Sequence, residues 1–121
     1  MIKLAQPVKL LDHAYVECPI PEASHIRIRL QGWVGLCVVP FHTGKKESKG
    51  PCWFWNESLD KPTLSPSLLS QSRGEELMRC HCFIENGKVR FLSDCTHKFA
   101  GKTVDMLPVC KEDYDKSHEI K

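Results

Sequence analysis

Residues 80–97 hold three cysteines, two histidines and an aspartate. Two kinds of chemistry fit these residue types. Thiolates and imidazoles are the donors zinc prefers, and Cys80, Cys82, Cys95 and His97 form a C-x-C followed by a C-x-H after twelve intervening residues. His97 or Cys52 can supply the fourth ligand. Independently, a carboxylate that fixes a histidine tautomer makes two-thirds of a hydrolytic triad, and His81 with Asp94 can do this. The missing nucleophile is then a serine. Ser65, framed by Pro62 and Pro66, and Ser67, which follows Pro66, are the candidates, and the local turn decides which of them points inward. Both serines can equally be turn residues bonded to local backbone.

A hairpin must position these groups. Asn86-Gly87 between two alternating runs is the strongest short-range hairpin signal. A two-residue turn there pairs Glu85 with Lys88, Ile84 with Val89, Phe83 with Arg90 and Cys82 with Phe91. Side chains alternate along strands. Cys80, Cys82, Ile84, Val89 and Phe91 therefore share an apolar face, which Cys95 joins. His81, Phe83, Glu85 and Asp94 fall on the other. A slip of one residue would exchange the faces.

The rest of the chain reads as further strands. His25–Leu30 alternates, with Ile26, Ile28 and Leu30 on one face. Gly32–Phe41 is a more continuous apolar run, ended by Pro40 and a 42–51 loop. Cys52–Asn56 is a short aromatic strand. The 62–67 segment is extended or turn-like, because proline restricts the residue before it. Leu68–Arg79, polar in its middle, is expected to be a short helix or mobile loop, and Gly101–Val109 one more strand. The expected fold is mainly β (β-rich α+β): a small single domain, residues 1–110, of antiparallel strands around the Asn-Gly hairpin and stabilised by zinc. A charged tail follows over residues 111–121.

Composition excludes several function classes. The chain has 121 residues, 41% hydrophobic and 26% charged, with a net charge of +2. That charge is too weak for a nucleic-acid partner, and Lys45, Lys46 and Lys49 read as a solvated loop. No stretch approaches the roughly 18 apolar residues that span a bilayer. Seven cysteines is an odd number. Without a secretory signal at Met1–Leu11 they read as reduced thiols, metal ligands or core, which places the protein in the cytoplasm. Cys37 and Cys110 are expected in the core. His13, His42 and His118 have no context that assigns a role.

Trp53–Asn56, Lys61–Ser67, Cys80-His81, Ile84–Gly87 and Asp94–His97, with Ala100–Asp105 and Pro108, resemble a family of small phage and prophage proteins often mislabelled as ammonia monooxygenase. More distant relatives share the Pro-Ser, Cys and His elements and sit beside bacterial ubiquitin-like conjugation operons, as peptidases of the ubiquitin-like protein. The resemblance implies Ser67 as nucleophile and His81 as base, and places Asp94 and His97 in the family's Asp-Cys-Thr-His element. It also implies an N-terminal zinc site using Cys18, His25 and Cys80. Pro21 stands where a second N-terminal cysteine would fall.

The expected function is thus a serine-type peptidase acting on a protein tail. Ser67, His81 and Asp94 are its line of catalytic groups, and His97 is a second base or an oxyanion contact. A small β domain can hold an extended peptide by strand addition. The alternative is a non-enzymatic, zinc-stabilised module that binds a host defence protein, host cytoplasm being its site if the protein is phage-encoded. Trp33, Trp53 and Trp55 would then be core or an aromatic contact surface.

Overall fold

The structure, a computed structural model, describes residues 2–31, 35–44, 52–73 and 77–109. Among the described residues nine strands form one sheet: β1 (Ala5–Leu11), β2 (Ala14–Glu17), β3 (His25–Arg29), β4 (Leu36–His42), β5 (Trp53–Trp55), β6 (Leu64–Arg73), β7 (Leu77–Glu85), β8 (Lys88–Phe91) and β9 (Thr103–Asp105). Their order is β2-β1-β3-β4-β5-β6-β7-β8-β9, antiparallel except at β4–β5. One 3-10 turn, Ile20–Glu22, is the helical element among the described residues. The strand-rich expectation is met.

The β7–β8 register matches the sequence reading: Glu85 faces Lys88, Ile84 Val89, Phe83 Arg90 and Cys82 Phe91. Asn86 and Gly87 both take positive φ, as a two-residue turn of this twist requires. Gly87 is also crowded. A Cβ there would lie 3.2 Å from Leu4 Cδ1 and 3.3 Å from Lys61 Cα. Gly87→Ala is therefore expected to lower stability by about 2 kcal/mol, measured by urea denaturation.

The structure departs from the sequence reading at three places. Within Leu68–Arg79 the described residues, 68–73 and 77–79, are strand: β6 and β7 pair from Leu68–Cys82 through Arg73–Leu77. Gln71 and Arg79 pair on the outward side of this ladder, whose inward side carries Leu68, Cys80 and Cys82 with half-buried Ser70. The N-terminal hairpin β1–β2 was also not foreseen. Its two-residue loop, Asp12-His13, lacks glycine, yet both residues adopt positive φ. Pro40 ends no strand, because β4 runs through it and pairs it with His25. Trp33, Lys45, Lys46, Lys49, Cys110, His118 and the 111–121 tail lie outside the described residues.

The sheet curls around its apolar side. Leu107 bridges back to Arg29, and Val109 N–H donates to the Lys3 carbonyl at 3.1 Å. Ile26, Ile28, Trp55, Leu64, Ile84, Val89 and Phe91 fill the interior. Cys80, Cys82 and Cys95 are buried among them, and half-buried Cys37 packs against them.

Candidate active site and thiol cluster

β7 carries two sites on opposite faces, because its side chains alternate. Outward-facing His81 lies between Ser67 and Asp94. Its Nε2 is 3.1 Å from Ser67 Oγ, and its Nδ1 is 3.2 Å from Asp94 Oδ2. An ionised Asp94 can only accept, so Nδ1 carries the proton and Nε2 is left to accept from the serine hydroxyl. Contacts of this length tighten when a substrate is engaged.

A bulge brings Ser67 there. Between the Leu64–Ile84 and Leu68–Cys82 pairs, Ser65, Pro66 and Ser67 of β6 face Phe83 alone on β7. Buried Leu64 and Leu68 keep Ser67 on the outward parity, and the extra residues shift its register so that its hydroxyl meets His81. The Ser67 carbonyl accepts from the Trp53 indole N–H at 3.0 Å. Ser65 instead pairs with Phe54 and is exposed. Of the two serines, Ser67 is the one in contact with His81.

The turn after β8 places Asp94 by docking on the β7 backbone. Thr96 N–H donates to the Arg79 carbonyl at 2.9 Å, and Arg79 N–H donates to Thr96 Oγ1 at 2.8 Å. Cys95 Sγ accepts from His81 N–H and donates to the His81 carbonyl, both at 3.2 Å. Asp94 sits between these anchors. Its Oδ2 also faces Arg79 Nη1 at 3.6 Å. Arg79 was missed in the sequence, although a period of two from His81 along the same strand would have found it.

A second serine–histidine contact shows what Ser67–His81 has in addition. Ser24 Oγ lies 2.8 Å from His25 Nδ1, but the described residues give that ring Tyr15 packing and no carboxylate. Burial lowers the His25 pKa.

On the inner face, the ligand atoms of Cys80, Cys95 and His97 lie within 4.8 Å of one another. His97 does not join Ser67. Its ring packs edge-on against Phe91 at 4.7 Å, and Nδ1 accepts from Phe99 N–H at 3.2 Å. Its Nε2 is buried with no hydrogen-bond partner among the described residues. Two buried thiols beside an orphaned imidazole nitrogen fit a soft divalent ion, so the cluster could hold one. Cys82 adjoins the group through a hydrogen bond with Cys80.

Cys18 and His25 are corrected: neither belongs to this cluster. Cys18 follows β2, the outermost strand, and lines a hollow with Lys3, Pro7 and Leu59. His25 is on the face of β3 opposite buried Ile26, whereas Cys80 points inward. Cys52 is also elsewhere, in an outer hollow with His25 and His42.

The cluster polarises its thiols. The Cys80 pKa is lowered from 9.0 to about 6, first by its hydrogen bond from Cys82 and then by His97, against the opposing effect of burial. Cys82 is pushed up as the donor of that bond, and burial raises Cys95. Burial, and then the Cys80 charge, push Cys37 up to about 11. In metal-free protein, Cys80 thiolate absorbance should therefore develop with a midpoint near pH 6 and vanish in Cys80→Ser. The sign for stability follows. Between about pH 6 and 9 the unfolded thiol holds a proton that the folded one lacks, so stability rises with pH there and is lost as pH falls through 6.

The family model for the bacterial ubiquitination-like system serine protease, BubE, matches residues 10–92. That is 83 of 121 residues. The chain belongs to the BubE family. The matched stretch includes the BubE chain's Ser67 and His81 and ends before Asp94. No curated protein matches the chain, and no solved structure does. No helix among the described residues is long and apolar enough to cross a membrane.

Proposed function

We propose that this BubE-family chain is a serine peptidase that cleaves at an extended protein tail, in keeping with a protease of a ubiquitin-like conjugation system. The observation that carries the reading is the continuous line from Ser67 Oγ through both nitrogens of His81 to Asp94. In this mechanism Ser67 Oγ attacks the scissile carbonyl carbon while its proton passes to His81 Nε2. That proton then goes to the leaving amine as the C–N bond breaks, leaving an acyl-Ser67. Water, deprotonated by His81, attacks the ester and restores the hydroxyl. Asp94 holds the Nδ1 proton and stabilises the imidazolium.

Zinc is proposed for the inner cluster, held by Cys80, Cys95 and His97. When bound it would supply structural cross-linking of β7 to the turn after β8. The chemistry belongs to the other face, so the metal is assigned no step.

Active-site labelling tests the reading. A fluorophosphonate should phosphonylate the native protein at Ser67, located by peptide mass spectrometry. Asp94→Asn should slow labelling by about 10³-fold, because the histidine loses its proton-bearing Nδ1 orientation. Labelling of another residue, or none under conditions that label a known serine hydrolase, would refute the proposal.

A further inference from the structure

Arg79 stands two residues before His81 on β7, so both side chains leave the same outward face, about 7 Å apart along the strand. Asp94 reaches into the interval between them from the turn after β8. One of its oxygens serves both neighbours: Oδ2 is 3.2 Å from His81 Nδ1 and 3.6 Å from Arg79 Nη1. The line from Ser67 through His81 to Asp94 therefore has a fourth member, a guanidinium at the end away from the serine.

The backbone of the turn does not by itself aim the carboxylate. Bonds at Leu92, Cys95 and Thr96 pin the chain on both sides of Asp94 to His81 and Arg79 of β7. They fix its Cα and leave its two side-chain torsions free. The side chain is 41% exposed, so water competes for it. A carboxylate turned into water no longer holds the Nδ1 proton, and the imidazole loses the bond that sets its tautomer.

Arg79 supplies what the turn lacks. A guanidinium is planar, permanently charged and pre-organised for a carboxylate. Here its Nε is buried, so the fork is packed at its root while Nη1 faces Asp94. Gln71, opposite Arg79 on β6, is uncharged and offers no rival carboxylate. A half-exposed ion pair of this kind adds little to stability. Its effect lies in the side-chain torsions it selects.

We propose that Arg79 is a positioning residue of this site: its guanidinium holds Asp94 Oδ2 at the Nδ1 side of His81, which keeps Nε2 directed at Ser67. The inference rests on the peptidase reading and adds to it a residue that acts only through Asp94. The backbone N–H and carbonyl of Arg79 bond to Thr96 whatever side chain is present. A substitution there removes the guanidinium and leaves the turn docked.

The test is a double-mutant cycle on the full-length protein, read as the second-order rate at which an alkyl fluorophosphonate labels Ser67. Arg79→Gln should slow labelling by about five- to tenfold. In an Asp94→Asn background the same change should cost less than about twofold, because the carboxylate it acts on is gone. The His81 Nδ1 proton gives a second readout: its low-field NMR resonance should be sharp in the native protein and broadened by exchange in Arg79→Gln. Should that variant fail to fold, Arg79→Lys carries the same cycle. It keeps the charge and loses the fork, and a loss of about two- to threefold is expected, again absent beside Asp94→Asn. Equal slowing in both backgrounds would make Arg79 a structural residue and overturn the inference. Undiminished labelling of Ser67 in folded Arg79→Gln would overturn it too, and leave the peptidase reading standing. No labelling of Ser67 in the native protein would remove both.

Discussion

Ser67→Ala should abolish hydrolysis of a ubiquitin-like protein bearing a C-terminal extension, with kcat falling by about 10⁶-fold while the affinity for the substrate is retained. The expected size follows from the arrangement. His81 and Asp94 act only through the serine oxygen, so they lose their purpose together when it is removed. Background rate then comes from whatever the site still does by binding. The measurement is single-turnover cleavage followed by intact mass, with binding measured separately by calorimetry. Ser65→Ala serves as the comparison: it removes an equivalent hydroxyl two residues away that pairs with Phe54 and does not contact His81. A loss shared equally by both variants would point to damage of the bulge, and retained cleavage in Ser67→Ala would end the triad assignment.

Stripping metal with a strong chelator should lower Tm by about 10 °C or more and reduce hydrolysis in parallel, with zinc restoring both. Structural zinc in small domains contributes several kcal/mol or more to folding, and about 1 kcal/mol moves Tm by several degrees in a domain near this size. Activity should follow because Cys95, one member of the cluster, accepts through its sulfur from the His81 backbone N–H, a bond that a metal-bound thiolate keeps. Releasing the turn frees Asp94 as well. Native mass spectrometry should show one ion per chain, lost in Cys80→Ser. An unchanged melt after complete demetallation, or protein that carries no ion as purified, would remove the metal from the fold.

The sequence was most legible where local chemistry dictated geometry. Asn86-Gly87 set a turn, the turn set a register, and the register separated Cys80 and Cys82 from His81 before any contact was known. The interaction of Ser67 with His81 depends on three β6 residues facing one of β7, a count that no local pattern encodes. His97 was legible as a neighbour of Cys80 and Cys95, a group that could hold a metal ion, but its face was not, because it lies in the irregular turn after β8, where alternation no longer applies. Cys18 and His25 were grouped with Cys80 through the resemblance, and sheet order separates them. Arg79 lay in a segment read as helix or loop, so its place on the His81 face went unseen.

The strict alternation along β7 has a consequence for errors made during folding. A ladder that closes one residue out of step would turn the thiols outward and bury the imidazole, so both sites would fail in the same event. A misfolded copy of a protein-cutting enzyme is hazardous when it keeps its reactivity and loses its selectivity. In this chain a slip of β7 would break the Ser67–His81–Asp94 contacts and the thiol cluster together.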